Sequence, residues 1–319
     1  MLLLEKLLSA HATPGDETAV ADILLAAWRD AGLATRRLGA HAILADTAPR
    51  SRKPPLLITA HMDSCGFAVD RVDTLGLVPL GHPDTAKASI SVILKTRAGL
   101  FRGTLRRKLR ADKTPDFWFH PADGERPEAA HGDRVAFAPS FARDGNMISS
   151  PFLDNRMGCW LLARLAPLLK KWKLPRRVIL GATGSEEMCG FGASVLARET
   201  KPAAAVVLDT TYVNPAQNVR LGNGPVLTLS DKSILLSLDL RDRLLAVFRD
   251  AGQPLQTEVY NFSGTDARAF PLAGLSGPVV PLLVPTTGNH SPRETADLRD
   301  AEILLAMLRH ITEHGLSSP

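Results

Sequence analysis

The sequence predicts an α/β protein: a mostly parallel sheet with helices on both faces, interrupted by an inserted β-rich domain. Three observations carry that prediction. Short apolar runs alternate with helix-periodic segments near the N-terminus and again from Asp154 onward. Between about Phe67 and Asn146 the helical periodicity fades, and short β-like runs are broken by Gly, Pro and Asp. A chain of 319 residues also exceeds what one compact core usually holds, so a second unit is expected. The division falls into a discontinuous α/β domain, residues 1–66 and 148–319, and an insertion at 67–147.

Taken in order, Leu2 to Leu8 reads as a short helix, stopped by the turn at Thr13-Pro14-Gly15. A second helix starts at Asp16-Glu17, with Val20, Ile23, Leu24 and Ala27 on one face and Gly32 ending it. Residues 53–63 form an apolar strand that stops at His61 and Asp63. In the insertion, Leu77 to Leu80, Ile90 to Lys95 and Arg134 to Phe137 read as strands. A helix from about Arg156 meets Pro167, which should kink or end it. Next come a strand at 178–182, a helix near 193–199 and a strand ending at Asp209. Pro225 to Leu229 is a strand, a helix runs from about Leu240 to Ala251, and Pro278 to Val284 is the last strand. The closing helix spans about Asp300 to Glu313.

Composition narrows the function class. Net charge is +5, too mild an excess to argue for nucleic acid or a membrane surface. Lys95 to Lys113 carries eight basic residues and one acid, but it lacks interleaved aromatics and reads as a solvated face or a subunit contact. The first ten residues lack a basic segment, and Glu5 and Lys6 interrupt their apolar run, so no signal peptide is expected. Three cysteines, Cys65, Cys159 and Cys189, match no zinc or redox spacing and suit a reduced, cytoplasmic protein.

The chemistry gathers where strands end. His61, the Glu186-Glu187 pair, Asp209 and, after a short loop, His290 each follow an apolar run, and Asp154 stands where the insertion returns. Ligands bind beyond the carboxyl ends of strands in open α/β sheets. Singly, each residue has a plain explanation as a cap, a surface group or a solvated acid. Together they form the donor mix of a two-metal hydrolytic site, with zinc first and cobalt or manganese as alternatives. Adjacent glutamates can serve one site only if the strand has already ended, and Gly184 and Gly190 bracket such an end. Asp63, two residues after His61, is placed to hold the imidazole tautomer.

These residues resemble the M42 family of metallopeptidases, the glutamyl-aminopeptidase or TET-like enzymes. The resemblance runs through Thr13-Pro14-Gly15, Ala60-His61-Met62-Asp63, Leu153-Asp154-Asn155-Arg156, Glu186-Glu187 and Leu208-Asp209-Thr210-Thr211. It continues through Leu221 to Pro225, Gly264-Thr265-Asp266-Ala267 and His290-Ser291-Pro292-Arg293-Glu294. It implies a zinc-peptidase-like fold and two divalent ions per subunit. His61 and Asp209 would bind one ion, Glu187 and His290 the other, with Asp154 bridging them. Glu186 would be the general base, with Asp63 catalytic beside it. The insertion would be a lid or dimerisation domain, and dimers would build a homo-oligomer up to a dodecamer. The family's Asp-Asp-Arg motif is Asp154-Asn155-Arg156 here, and Ser64 stands where an acid often follows His-Met-Asp.

The expected activity is removal of N-terminal residues from peptides. A metal-bridging water would attack, and Glu186 would take its proton and pass it to the leaving amine. Asp266 is a candidate for shaping the substrate pocket. A serine nucleophile lacks its Gly-x-Ser-x-Gly elbow, and Cys189 beside two acids would resist forming a thiolate. His310 and His314, four apart, lack the glutamate of a zinc helix and read as surface residues. A metal-independent glycan hydrolase of the endoglucanase kind could use two carboxylates. A non-catalytic scaffold of the same fold is the remaining alternative.

Overall fold

The apolar spacing of the first thirty residues buries Leu4, Leu7, Leu8, Val20, Leu24 and Trp28 under two helices, α1 (Leu2–Ser9) and α2 (Thr18–Asp30). The computed structural model describes residues 1–86, 89–171 and 174–316. A hairpin follows, β1 (Ala34–Leu38) and β2 (Ala42–Asp46), and then β3 (Leu56–His61).

The chain next leaves the sheet. Strands β4 (Gly66–Arg71), β5 (Gly76–Leu80), β6 (Ser89–Thr96), β7 (Gly99–Leu109), β8 (Pro115–Pro121) and β9 (Arg134–Phe137) close into a barrel in the order β4-β5-β8-β7-β6-β9. Phe67, Phe117, Phe119 and Phe137 fill its interior. The basic stretch forms the end of β6 and all of β7, where Arg106, Arg107 and Lys108 face solvent.

Strands β10 (Ala142–Asp144) and β11 (Met147–Ser150) already belong to the large sheet. The rest of the chain adds α3 (Leu153–Lys171), β12 (Val178–Thr183), α4 (Phe191–Thr200), β13 (Ala204–Tyr212) and β14 (Val226–Ser230). It closes with α5 (Leu238–Asp250), β15 (Gln256–Val259), α6 (Ala269–Leu272), β16 (Val279–Thr287), β17 (Glu294–Asp297) and α7 (Leu298–His314).

Helices cover both faces of the large sheet. Alternate residues of the central strands divide between them: Ile58, Leu180 and Val206 pack under α3 and its neighbours, while Leu57, Ile179 and Val207 pack toward α4 and α6. The sheet runs β1-β2-β12-β3-β13-β16-β17-β11-β10, with β14 and β15 off this path. It is mixed, which corrects the expectation of a mostly parallel sheet. Only β12, β3, β13 and β16 are joined in parallel along that path. The flanks are antiparallel because β1–β2, β10–β11 and β16–β17 are connected by short loops, which can join only antiparallel strands.

Three other expectations change. The helix α3 does not end at Pro167 but continues to Lys171, with the proline ring on its exposed side. Asp209 is inside β13 rather than at its end, and β16 is followed by β17. That last strand, Glu-Thr-Ala-Asp, has no apolar run to announce it.

Candidate metal centre

Parallel register aligns the first ligands. Thr183 of β12 pairs with His61 of β3, and Val207 of β13 pairs with Thr59. Two residues further along both strands, Asp209 therefore comes beside His61. His61 Nε2 lies 3.2 Å from Asp209 Oδ1 and 3.2 Å from Asp154 Oδ1. The other oxygen, Asp154 Oδ2, is 3.4 Å from His290 Nε2, which is also 3.4 Å from Glu187 Oε2. Asp154 thus turns one oxygen to each histidine, between two donor groups.

Each side chain is aimed by local structure. Asp154 and Asn155 precede the helical part of α3 in non-helical conformations, joined by a cis peptide bond. Asn155 donates from Nδ2 to the Leu208 carbonyl (2.8 Å) and accepts from the Gly158 N–H (3.0 Å), fixing the start of α3 against β13. Arg156, wholly buried, donates to the Met62 and Ala12 carbonyls and to Ser64 Oγ. Ser64 is buried and donates to the Asp154 carbonyl at 2.7 Å.

The strand β12 ends at Thr183, as the glycine brackets require, and the two glutamates follow in a turn. Asp63 holds that turn: its carboxylate oxygens accept from the backbone N–H groups of Glu186 (3.0 Å) and Glu187 (3.1 Å). This differs from the expected hold on the imidazole. The nearer acceptor for His61 Nδ1 is the Asp63 backbone carbonyl at 3.1 Å, while the carboxylate stands 3.7 Å away. Glu186 lies beside the donors, its Oε2 4.0 Å from His61 Nε2.

Three buried contributors were not singled out from the sequence. Glu294 accepts from the backbone N–H groups of Asp154 (2.8 Å) and His290 (2.9 Å), tying together two of the converging loops. Glu17 accepts from Gly15 and Ser185 under the glutamate turn. The Cys65 Sγ is 3.0 Å from Glu187 Oε2. Glu294 closes one of the quoted motifs but had no role assigned to it; for Glu17 and Cys65, lying close in sequence to motif residues was the only signal. Asp266, the pocket candidate, lies behind the wall, 2% exposed, and accepts from Thr183 Oγ1 at 2.5 Å. It supports the cleft without facing it.

Burial of so many acids shifts their protonation. Desolvation raises Glu186 well above the carboxylate range and brings Glu187 to about 7 and Asp209 to about 6. Burial alone would lower His290, but Asp154 and Glu187 outweigh it and hold its pKa at about 10. Asp154 moves the other way: two histidines overcome its burial and keep it ionised. Its Oδ1 is closed to solvent and lies 3.2 Å from His61 Nε2. The donors separate into two groups, His61 with Asp154 and Asp209, and Cys65 with Glu187 and His290. Within each, the ligand atoms lie within 4.8 Å of one another. A buried cluster of carboxylates and imidazoles in two groups fits divalent cations.

The cluster opens into a cleft of about 670 Å³. Tyr212, Lys232, Tyr260 and Phe262 line its outer part, and His82 and Asp84, from the segment between β5 and β6, reach over one side. No helix among the described residues is long and apolar enough to cross a membrane.

Residues 121–307 match the family model described as M42 glutamyl aminopeptidase. A glutamyl aminopeptidase of Lactococcus lactis is 28% identical over 91% of this chain and 89% of its own. The fold superposes on the TET aminopeptidase of a marine sediment Thaumarchaeota archaeon with a TM-score of 0.89, at 21% identity, covering 98% of this chain and 96% of that one. The Pyrococcus horikoshii TET1 peptidase, which can assemble into a tetrahedron or a large octahedral shell, gives 0.86 at 23% identity over 98% and 99%.

Proposed function

We propose, from the premise that this chain belongs to the M42 glutamyl aminopeptidase family, that its acidic cleft is the active site of a two-metal aminopeptidase. The chain is a hydrolase that removes N-terminal residues from peptides. The observation that carries this reading is Asp154, which presents separate oxygens to His61 and His290 in the middle of five converging donors.

His61 and Asp209 would hold one divalent ion and Glu187 and His290 the second, with Asp154 shared. Zinc suits this mix of imidazole and carboxylate, and cobalt or manganese could replace it. Ions held there make water more acidic and polarise the scissile carbonyl. The chain's own part is proton transfer and alignment. Glu186 has no place in either donor group, yet it lines the cleft beside them, 4.0 Å from His61 Nε2, where a general base can reach the attacking water. It takes a proton from the attacking water and returns it to the leaving amine. Asp63 keeps Glu186 and Glu187 in register through their backbone N–H groups.

The barrel, whose neighbouring residues His82 and Asp84 overhang the cleft, serves as a lid or dimerisation domain. The assembly is a homodimer or a larger homo-oligomer. Three free cysteines suit a cytoplasmic setting.

The test combines metal analysis with a panel of aminoacyl chromogenic substrates. Glu186→Gln should keep its metal and lose about 10²–10⁴-fold in kcat. Chelation should abolish wild-type turnover. Full turnover in EDTA would end the two-metal reading, and a protein inert on every aminoacyl substrate that cleaves a glycan in EDTA would favour the metal-independent glycan hydrolase.

A further inference from the structure

We infer that Cys65 is a sulfur ligand to the ion held by Glu187 and His290, giving this centre a thiolate alongside its imidazole and carboxylate. The inference rests on the reading that those two residues hold a metal, and it goes beyond it by adding a donor of a different chemical class.

Several features converge on Cys65. Its Sγ, Glu187 and His290 offer ligand atoms that all lie within 4.8 Å of one another. The sulfur is 3.0 Å from Glu187 Oε2, and the Cys65 backbone N–H reaches the other oxygen, Oε1, at 3.2 Å. Residue 65 is 2% exposed, so the sulfur faces the cluster and not bulk water. Close by, Asp154 turns its Oδ2 to His290 Nε2 at 3.4 Å, so a second carboxylate faces the same group. The neighbourhood also leaves space for the sulfur. A Cβ built at Gly81 would come within 2.7 Å of Cys65 Sγ, so the glycine is what admits it. The N–H of His82 points at the sulfur from 3.3 Å, a donor that suits a thiolate as well as a thiol.

The chemistry balances without any redox partner. In the metal-free chain the S–H donates to Glu187. On binding, sulfur gives its proton to solvent and its lone pair to the cation, and Glu187 is freed to bind through oxygen. Thiolate is a soft donor, so the second site should prefer zinc or cadmium over manganese more strongly than an all-N/O site would. The other two cysteines are placed differently: Cys159 Sγ donates to the His61 carbonyl at 3.2 Å, and Cys189 is exposed.

The test is optical and does not depend on turnover. The apo protein is reconstituted with Co²⁺ and its spectrum recorded. Visible d–d bands report bound cobalt, and a sulfur-to-cobalt charge-transfer band in the near ultraviolet reports the thiolate. Wild type, Cys159→Ser and Cys189→Ser should all show the charge-transfer band. Cys65→Ser should lose it while keeping the d–d bands. If Cys65→Ser does not fold, a band that survives both other substitutions still assigns it, because the chain has only three cysteines. Bound cobalt without a sulfur band in wild type overturns the inference and leaves the two-metal reading intact. A band that persists in Cys65→Ser overturns it as well. No d–d bands in any protein would instead remove the metal reading on which it rests.

Discussion

At the scale of single residues, the centre depends on groups that do not touch the substrate. Glu294 accepts one hydrogen bond from Asp154 and one from His290, so it spans the two loops that must meet for a shared ligand to work. His290 itself has a φ of 64°, which a residue with a Cβ adopts at a cost. The bond from its N–H to Glu294 holds that conformation. Glu294→Ala would leave two backbone N–H groups without their buried acceptor, at about 1–3 kcal/mol each. Metal affinity should fall roughly 10–100-fold, the usual effect of removing a residue that orients ligands. Glu294→Gln keeps a carbonyl acceptor and should lose less. Competition titration with a chromogenic chelator distinguishes the two. Equal affinity for wild type and Glu294→Ala would show that the loops hold themselves.

At the scale of elements, α3 carries Asp154 at its N-terminal end and must lie close against β3, which carries His61. Gly158 allows that approach: a Cβ there would stand 2.4 Å from Asn155 Oδ1 and 2.8 Å from the Ala60 Cβ. Helix propensity favours Ala over Gly by about 1 kcal/mol, but a forced shift in a packed core costs about 1–3 kcal/mol. Crowding should win, because both neighbours adjoin metal-site residues and cannot move freely. Gly158→Ala should therefore lower the melting temperature. Pro167→Ala, on the exposed side of the same helix, should raise it by restoring the N–H to the Ala163 carbonyl bond. Thermal unfolding of both variants tests the pair, and a stabilised Gly158→Ala would refute the close-packing account. The same contrast shows what the sequence could reveal. Apolar runs that stop at His61 and before Glu186 mark where strands deliver side chains, so the site's outline was legible there. The strand β17 was not, since Glu294–Asp297 has polar residues at three of its four positions and is a strand only because β16 and β11 flank it. Glu294 stands in a quoted motif, but its part in tying two loops together was hidden for the same reason. Asp63 was recognised as a neighbour of His61, but which atoms its carboxylate meets depends on a turn more than a hundred residues further along.

At the scale of the whole molecule, the cluster couples folding to pH and to metal. In the metal-free chain Asp209 and Glu187 have folded pKa values of about 6 and about 7, above their ordinary 3.8 and 4.5. A carboxyl raised in this way favours the folded state fully below its ordinary value, and that contribution disappears as pH rises through the folded value. His290 acts in the same direction at higher pH. Its pKa of about 10, against an ordinary 6.5, gives stability that is complete below 6.5 and lost as pH climbs through 10. Asp154 opposes them only in strong acid, where a carboxylate kept ionised by its histidines would finally be protonated. The metal-free protein should therefore melt at a progressively lower temperature from pH 5 to pH 9. Cations compete with protons for the same groups and bind best where these are deprotonated. A ligand at a hundred times its Kd adds about 2.7 kcal/mol to the folded state. The gap in melting temperature between zinc-loaded and EDTA-treated protein should thus widen from pH 5 to pH 8. Differential scanning fluorimetry across that range measures it directly. A gap that stayed constant with pH would mean that the buried acids and histidines are not the groups that receive the metal.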